Sequence, residues 1–170
     1  MVRHAEPGTV ERVEPGGGPL VAVPETVLSF WTGADGEETA SDHDRACEVD
    51  GPVGLLPVGD AAAPVLGDEP AATALLPEHG ILVRRLAGDF EEELPASAPA
   101  ALRTARWQPE VHWRVPGTVV LFDAARPGTD SARTAHVSLT LDPGRHAVRA
   151  ARVRPGPETR LVLVRLRPLP

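Results

Sequence analysis

The sequence of 170 residues contains no lysine, no asparagine and no tyrosine, and its only cysteine is Cys47. A single cysteine excludes an internal disulfide and a cysteine-rich zinc site. Because lysine is absent, every formal positive side chain is an arginine, which keeps its charge and offers a forked donor to carboxylates. No apolar run approaches the ~20 residues that a membrane helix needs, and residues 1–19 lack the apolar core of a secretory signal. We therefore expect a cytoplasmic protein without a membrane partner.

Motifs of the common enzyme classes are also missing. The chain has no glycine-rich phosphate loop followed by lysine, no His-Glu-x-x-His and no Gly-x-Ser-x-Gly. Its six histidines are scattered singly. The sequence therefore favours a binding protein over an enzyme, and it indicates no cofactor.

The chain does carry a strong division of charge. Residues 1–100 hold 19 acidic and 5 basic residues (net −14), whereas residues 101–170 hold 5 acidic and 12 basic residues (net +7). A field of this size steers encounters with oppositely charged partners, so we expect the acidic part to meet a cationic protein surface. Four arginines are expected to neutralise the acidic part across the fold: Arg145, Arg149, Arg152 and Arg154. Because the arginine-bearing strands lack interleaved aromatics, direct nucleic-acid binding is not expected.

The pattern of strands and breaks predicts a mainly β (α+β), antiparallel fold with one or two short helices. Nineteen prolines and 16 glycines favour many short strands. A short helix is predicted from Asp42, as its N-cap, to near Asp50. Residues 88–106 also favour helix, but Pro95 and Pro99 argue against one continuous helix. The predicted strands are 20–23, 53–58, 64–66, 81–86, 111–115, 118–122, 136–141, 146–153 and 160–166.

One domain is expected after a short N-terminal segment. Residues 1–17 are polar and rich in Glu, Pro and Gly, which predicts a flexible leader. Residues 18–170 are predicted to form a single β-rich domain. The turn sequences within residues 136–166 predict a three-strand meander there. In its last strand, Leu161 and Arg165 are expected to share one face.

The two parts of this domain resemble each other faintly. Two copies of a four-strand unit, residues 18–87 and 107–168, would explain the resemblance, and chance similarity among short aliphatic strands is the alternative. The matched segments are 18–23 with 117–122, 53–56 with 137–140, 63–65 with 147–149, and 81–86 with 161–166.

Acidic clusters and one aromatic residue supply the candidate contacts with a partner. An Asp-His-Asp run at residues 42–44 has two interpretations: a metal or acid–base cluster, or a helix N-terminus whose negative charges favour the helix dipole. The run at 67–70 fits an acidic turn, and the glutamates at 91–93 fit a solvated face. The candidates are Trp31, Asp42, Asp44, Asp68, Glu69, Glu91, Glu92 and Glu93.

Several segments taken in order resemble the immunity protein 21 family of bacterial polymorphic toxin systems. They are Gly17–Leu20, Trp31–Gly33, Asp42–Cys47, Val65–Pro70 followed by Thr73, and Leu121–Ala125, and the resemblance covers residues 17–168. The resemblance implies a small protein without catalytic activity that binds and neutralises a cognate toxin. If that toxin is a nuclease with a basic cleft, the acidic part of the chain would occupy the path of the phosphates.

Two other functions stay open at this point. One is a regulatory or scaffold module, unrelated to toxins, that forms homodimers through strand edges. The other is a metal-dependent hydrolase that uses Asp42, Asp44 and Asp68. No oligomeric state follows from the sequence.

Overall fold

A computed structural model describes residues 11–35, 40–67, 69–87 and 94–170 of the chain. Within these residues, two antiparallel sheets dominate, which confirms the mainly β prediction. The strands are β1 (Arg12–Val13), β2 (Leu20–Pro24), β3 (Val53–Val58), β4 (Ala61–Leu66), β5 (Ala72–Leu76), β6 (Ile81–Ala87), β7 (Val111–Val115), β8 (Val119–Asp123), β9 (His136–Leu139), β10 (Gly144–Gly156) and β11 (Thr159–Pro168). One sheet has the order β1-β5-β6-β11-β10-β7 and the other has the order β3-β4-β2-β8-β9.

Short helices connect these strands. They are α1 (Asp42–Cys47), α2 (Leu94–Thr104), and the 3₁₀ helices Glu25–Phe30, Pro77–His79 and Gly128–Arg133. The expectation that Pro95 and Pro99 would break the second helix is wrong, since α2 is continuous. Pro95 lies in its first turn, where the missing N–H has no partner to lose. None of the helices in the described part of the chain is long and apolar enough to cross a membrane.

The main core lies between the two sheets. It combines Leu20 and Leu121 of the five-stranded sheet with Val148 and Val164 of the six-stranded sheet. Trp113 joins the layers directly, because its indole N–H donates to the Ala62 carbonyl at 2.9 Å. Smaller apolar clusters cover the outer side of each sheet. The face alternation predicted for the last strand agrees with this arrangement, because Leu161 and Leu163 belong to the outer cluster.

The predicted meander over residues 136–166 is wrong. β9 pairs with β8 in the five-stranded sheet, whereas β10 and β11 form a hairpin in the other sheet. Residues 140–143 therefore carry the chain from one layer to the other instead of forming a hairpin turn. Val137 and Leu139 of β9 are buried between the layers, and this burial stabilises β9 in the five-stranded sheet, where it does not pair with β10.

Two strands were missed by sequence reasoning. β5 is rich in Ala and Leu, which are weak strand formers, and it is held by pairing with β6 on one side and β1 on the other. β1 lies inside the segment predicted as a leader. Because Val13 is 1% exposed and Arg12–Val13 pairs with β5, residues 12–13 do not belong to a flexible leader.

The strand order is symmetric about two central pairs, β6·β11 and β2·β8. In the six-stranded sheet, β1-β5-β6 meets β11-β10-β7, and in the other sheet β4-β2 meets β8-β9. A duplicated five-strand unit would produce this order, with β4 equivalent to β9 and β5 equivalent to β10. The two-copy interpretation stays a prediction, and its strand equivalences are revised from the sequence-based ones.

The connection from β2 to β4 is much longer than the connection from β8 to β9. Residues 25–60, thirty-six in number, connect β2 to β4, whereas only the twelve residues 124–135 connect β8 to β9. The first connection begins with a 3₁₀ helix and the second contains one, but α1 and β3 lie in the first connection alone. We call residues 30–60 the insert.

Candidate partner-binding surface

The insert concentrates negative charge. It contains eight acidic residues and one arginine, a net charge of −7, which equals the net charge of the whole chain. Five of its carboxylate side chains are exposed in the described structure: Asp35, Asp44, Glu48, Asp50 and Asp60. Such a cluster on one element creates a local field that attracts cationic surfaces.

Helix α1 begins with a capping box. Ser41 Oγ accepts from the Asp44 backbone N–H at 3.1 Å, and the Asp44 carboxylate accepts from the Ser41 backbone N–H at 3.1 Å. The N-cap is therefore Ser41, one residue before the predicted position. These hydrogen bonds from the Ser41 backbone and side chain hold the pKa of Asp44 below its usual range. Asp44 remains exposed and negatively charged at neutral pH.

Asp42 ties α1 to the preceding chain. Its carboxylate accepts from the Thr32 backbone N–H at 2.8 Å and from Thr32 Oγ1 at 3.1 Å, and it pairs with Arg45. Arg45 in turn reaches the Pro57 carbonyl of β3 at 3.5 Å. Burial acts to raise the pKa of Asp42, but the hydrogen bonds from Thr32 and Arg45 outweigh it and hold the pKa below its usual range. The Asp42 side chain thus has a structural role within the insert.

Replacing Asp42 with asparagine is expected to destabilise the protein by about 1 kcal/mol at pH 7, because the ion pair with Arg45 is lost. The pKa of Asp42 is lower in the folded state than in the unfolded state. The stabilisation that its carboxylate contributes is therefore complete above the pKa of the unfolded state and is lost as the pH falls through the pKa of the folded state. The difference between the two proteins should therefore shrink from pH 5 to pH 2.5. Denaturant unfolding at several pH values measures it, with the exposed Asp142→Asn as control. A difference that stays constant over this range would contradict the assigned role.

The structure places Trp31 in the core and not on the surface. Its side chain is 1% exposed, and its indole N–H donates to the Ala124 carbonyl at 3.0 Å. It packs with Val23, Ala46 and Phe122 on the outer side of the five-stranded sheet. Trp31 therefore anchors the base of the insert and cannot contact a partner in this conformation.

Only one other candidate contact lies within the described residues. Glu69 is exposed, and its backbone carbonyl accepts from the buried Arg84 at 3.0 Å. Asp68, Glu91, Glu92 and Glu93 lie outside the described residues.

An apolar groove of about 1070 Å³ borders one end of the insert. Its lining includes apolar side chains and two opposite charges: Val27, Phe30, Asp60, Arg114, Val115 and Pro116. Phe30 is 61% exposed, and it is the large apolar side chain that stands out on the described surface. Gly59 approaches it closely, because a Cβ on Gly59 would lie 3.1 Å from a Phe30 ring atom. An exposed aromatic beside a groove is typical of a protein-binding anchor.

Sequence reasoning did not identify Phe30. Phe30 and Trp31 are adjacent in the chain, and both are large aromatics. They differ because Phe30 ends a 3₁₀ helix, whereas Trp31 begins the extended segment that turns inward. The backbone changes direction between Phe30 and Trp31, and the pattern of residue types does not predict this change.

A second groove lies at the C-terminal end of α1. It has a volume of about 270 Å³ and is lined by Gly18, Pro19, Cys47, Val49 and Pro70, among others. Glu48 follows Cys47 in the chain and Glu69 precedes Pro70, so exposed carboxylates border this groove as well. The insert thus presents acidic side chains beside two grooves, the second smaller than the first. We call the five exposed carboxylates of the insert, together with Phe30, Glu69 and the two grooves, the insert surface.

Cys47 and His43 form the one feature of this surface that resembles a catalytic pair. The Cys47 sulfur lies 3.6 Å from His43 Nε2, one helical turn away. Burial, and then the negative charge of Asp44, raise the pKa of the Cys47 thiol. Because a nucleophilic cysteine needs a lowered pKa, this environment disfavours the thiolate and does not activate it.

The metal-binding interpretation of residues 42–44 loses its support here. Both carboxylate oxygens of Asp42 accept hydrogen bonds from protein donors, and one oxygen of Asp44 accepts from the Ser41 backbone N–H. Within the described residues, no three His, Cys, Asp or Glu side chains converge as metal ligands would. The helix N-terminus interpretation agrees with the capping geometry of α1.

Comparison with known proteins gives one match. A family model described as Immunity protein 21 matches residues 11–159 of the 170-residue chain. No curated protein and no solved structure matches the chain. The matched span includes every strand from β1 to β10 and the whole insert.

Proposed function

The chain belongs to the immunity protein 21 family, and from that premise we propose that it binds and neutralises a cognate toxin of a bacterial polymorphic toxin system. The proposed contact is the insert surface. One observation supports this choice most directly: the insert, which adds β3 at the edge of an otherwise symmetric strand order, carries five exposed carboxylates and the exposed Phe30.

The chemistry of this surface fits a basic toxin. Carboxylates such as Glu48 and Asp60 attract arginine and lysine side chains, and the field around them accelerates encounter. A nuclease with a basic cleft is one such partner, because acidic side chains would occupy the positions that substrate phosphates require. In this proposal the protein acts by occupying the toxin surface and catalyses no reaction.

The candidate contact residues within the described structure divide into two groups under this proposal. Asp44 and Glu69 are exposed and belong to the proposed contact surface, whereas Trp31 and Asp42 support the insert from inside. The contact roles of Asp68, Glu91, Glu92 and Glu93 stay predictions.

Replacing Phe30 with alanine is expected to raise the dissociation rate of the toxin complex by about ten-fold, because exposed aromatics at the centre of an interface often dominate its energy. Surface plasmon resonance with the captured toxin measures the rate. Since Phe30 is 61% exposed, the free energy of unfolding should hardly change, which separates a binding effect from a folding effect. An unchanged dissociation rate would place Phe30 outside the interface.

Capture from the native host tests the proposed function itself. The tagged full-length chain is expected to retain a toxin encoded beside its own gene, and co-expression should protect a sensitive host from that toxin. Absence of protection, together with recovery of the chain as a homodimer alone, would favour the competing scaffold function. Recovery with a neighbouring toxin but without protection would show binding and refute neutralisation.

A further inference from the structure

The outer face of the six-stranded sheet carries a group of arginines on three adjacent strands. Arg114 of β7 lies directly opposite Arg145 of β10, and Arg149 of β10 lies directly opposite Arg165 of β11. Arg167 of β11 occupies the rung between these two pairs. Side chains two residues apart on a strand share a face, so all five project from the same side. We call Arg114, Arg145, Arg149, Arg165 and Arg167 the arginine face.

Trp107 organises the centre of this face. The Arg165 guanidinium carbon lies 4.3 Å from the Trp107 ring centroid, and that of Arg149 lies 5.6 Å from it. Both distances are within the range of cation–π contacts. The indole therefore holds two half-buried guanidinium groups near each other and restrains them. The Nε of Arg149 is buried and has no hydrogen-bond partner.

These positive charges are poorly compensated. Among the described residues, the carboxylate that contacts this face belongs to Glu110. It lies 3.3 Å from the Arg167 guanidinium and 3.0 Å from the His112 ring. Arg114, Arg145, Arg149 and Arg165 have no carboxylate partner among the described residues. Like charges directly opposite each other destabilise a sheet. Burial, and then the charges of Arg149 and Arg167, lower the pKa of Arg165, which agrees with crowding of cations at this point.

The position of the arginine face corrects the expectation that Arg145 and Arg149 neutralise the acidic part of the chain. The insert packs on the outer side of the five-stranded sheet, through Trp31 and Ala46. The arginine face lies on the outer side of the other sheet, beside Trp107. The two charged surfaces therefore lie on different sheets and approach each other only at one edge, where Arg114 and Asp60 line the same groove. Arg145 and Arg149 make no ion pair with the insert among the described residues.

We propose that the arginine face is a second docking surface, and that its ligand is an acidic, Glu- or Asp-rich segment of a protein partner. Restrained, forked guanidinium groups match carboxylates in bidentate geometry. A nucleic acid fits less well, because Arg165 and Arg149 already lie against the Trp107 ring on which a base would stack. The proposal is independent of toxin binding at the insert surface.

A binding assay with defined anions tests the proposal. The full-length chain is titrated at 50 mM salt with a fluorescein-labelled peptide of alternating Glu and Gly residues, and with single-stranded DNA of the same net charge. We expect the peptide to bind, and to bind more tightly than the DNA. No binding of the peptide, or tighter binding of the DNA, would overturn the proposal.

Paired variants locate the site. Arg149→Gln with Arg165→Gln is expected to weaken peptide binding by about ten-fold, whereas Arg126→Gln with Arg133→Gln, two exposed arginines elsewhere, should leave it unchanged. Arg114→Gln with Arg145→Gln, which leaves Trp107 untouched, should also weaken binding and serves if the first pair fails to fold. Equal losses in the face variants and in the control pair would refute a specific site.

Arg149→Lys with Arg165→Lys should bind more weakly than the natural chain, since lysine lacks the fork, and full retention of affinity would contradict bidentate recognition.

Discussion

Replacing Arg84 with alanine is expected to lower the free energy of unfolding by about 3–5 kcal/mol. Arg84 is 0% exposed and points between the two sheets from β6. Its guanidinium donates to the Gly67 carbonyl at 2.7 Å and to the Glu69 carbonyl at 3.0 Å. Alanine would leave both carbonyls, one buried and one partly buried, without these donors and would open a cavity beside them. Denaturant unfolding of the two proteins measures the loss.

The effect should extend to the insert, because Gly67 connects Arg84 to it. The Gly67 N–H donates to the Pro52 carbonyl at 3.1 Å, so the peptide groups around Gly67 bridge β6 and the chain that leads into β3. Hydrogen exchange in Arg84→Ala is therefore expected to increase in α1 and β3 before the centre of the sheets. Arg126→Ala, a truncation of an exposed arginine, is the matched control and should change stability by less than about 0.5 kcal/mol. A loss below about 1 kcal/mol in Arg84→Ala would contradict the role assigned to this side chain.

The sequence predicted the strands of this fold better than their arrangement. Runs such as 119–123 and 161–164 are rich in β-branched and aliphatic residues, and both are central strands in the structure. β5 has a composition that favours helix as much as strand, and pairing with β6 decides its conformation. The placement of β9 depends on which layer buries Val137 and Leu139, and that choice is made by packing over long sequence distances.

The candidate surface was predictable in its charge but not in its residues. The acidic excess of the first hundred residues pointed to α1, and the structure leaves Asp44 and Glu48 exposed there. Asp42 has the same charge, but hydrogen bonds from Thr32 give it a structural role. These partners come from ten residues earlier in the chain, and a linear pattern does not reveal such contacts. Alternation likewise placed Leu161 and Arg165 on one face, whereas the opposition of Arg149 and Arg165 needed the register of β10 on β11.

Removing three charges from the insert surface is expected to slow association with the toxin by about 10- to 100-fold at low salt. The changes are Glu48→Gln, Asp50→Asn and Asp60→Asn, which affect exposed side chains outside the capping box and the Asp42 contacts. Steering by charge acts on the encounter, so the association rate should fall more than the dissociation rate rises. The slope of the association rate against ionic strength should flatten as well. Stopped-flow mixing at several salt concentrations measures both.

A matched control separates local steering from net charge. Glu78→Gln, Asp142→Asn and Glu158→Gln remove three exposed carboxylates that lie outside the insert, and they change the net charge by the same amount. If the insert directs the encounter, this control should retain most of the association rate, because fields at a distance beyond the Debye length are screened. Equal slowing in both triple variants would mean that the overall charge steers the toxin, and it would contradict the proposal that the insert is the contact surface. Unchanged association in the insert variant would reject acidic steering altogether and would leave the groove beside Phe30 as the remaining basis for binding.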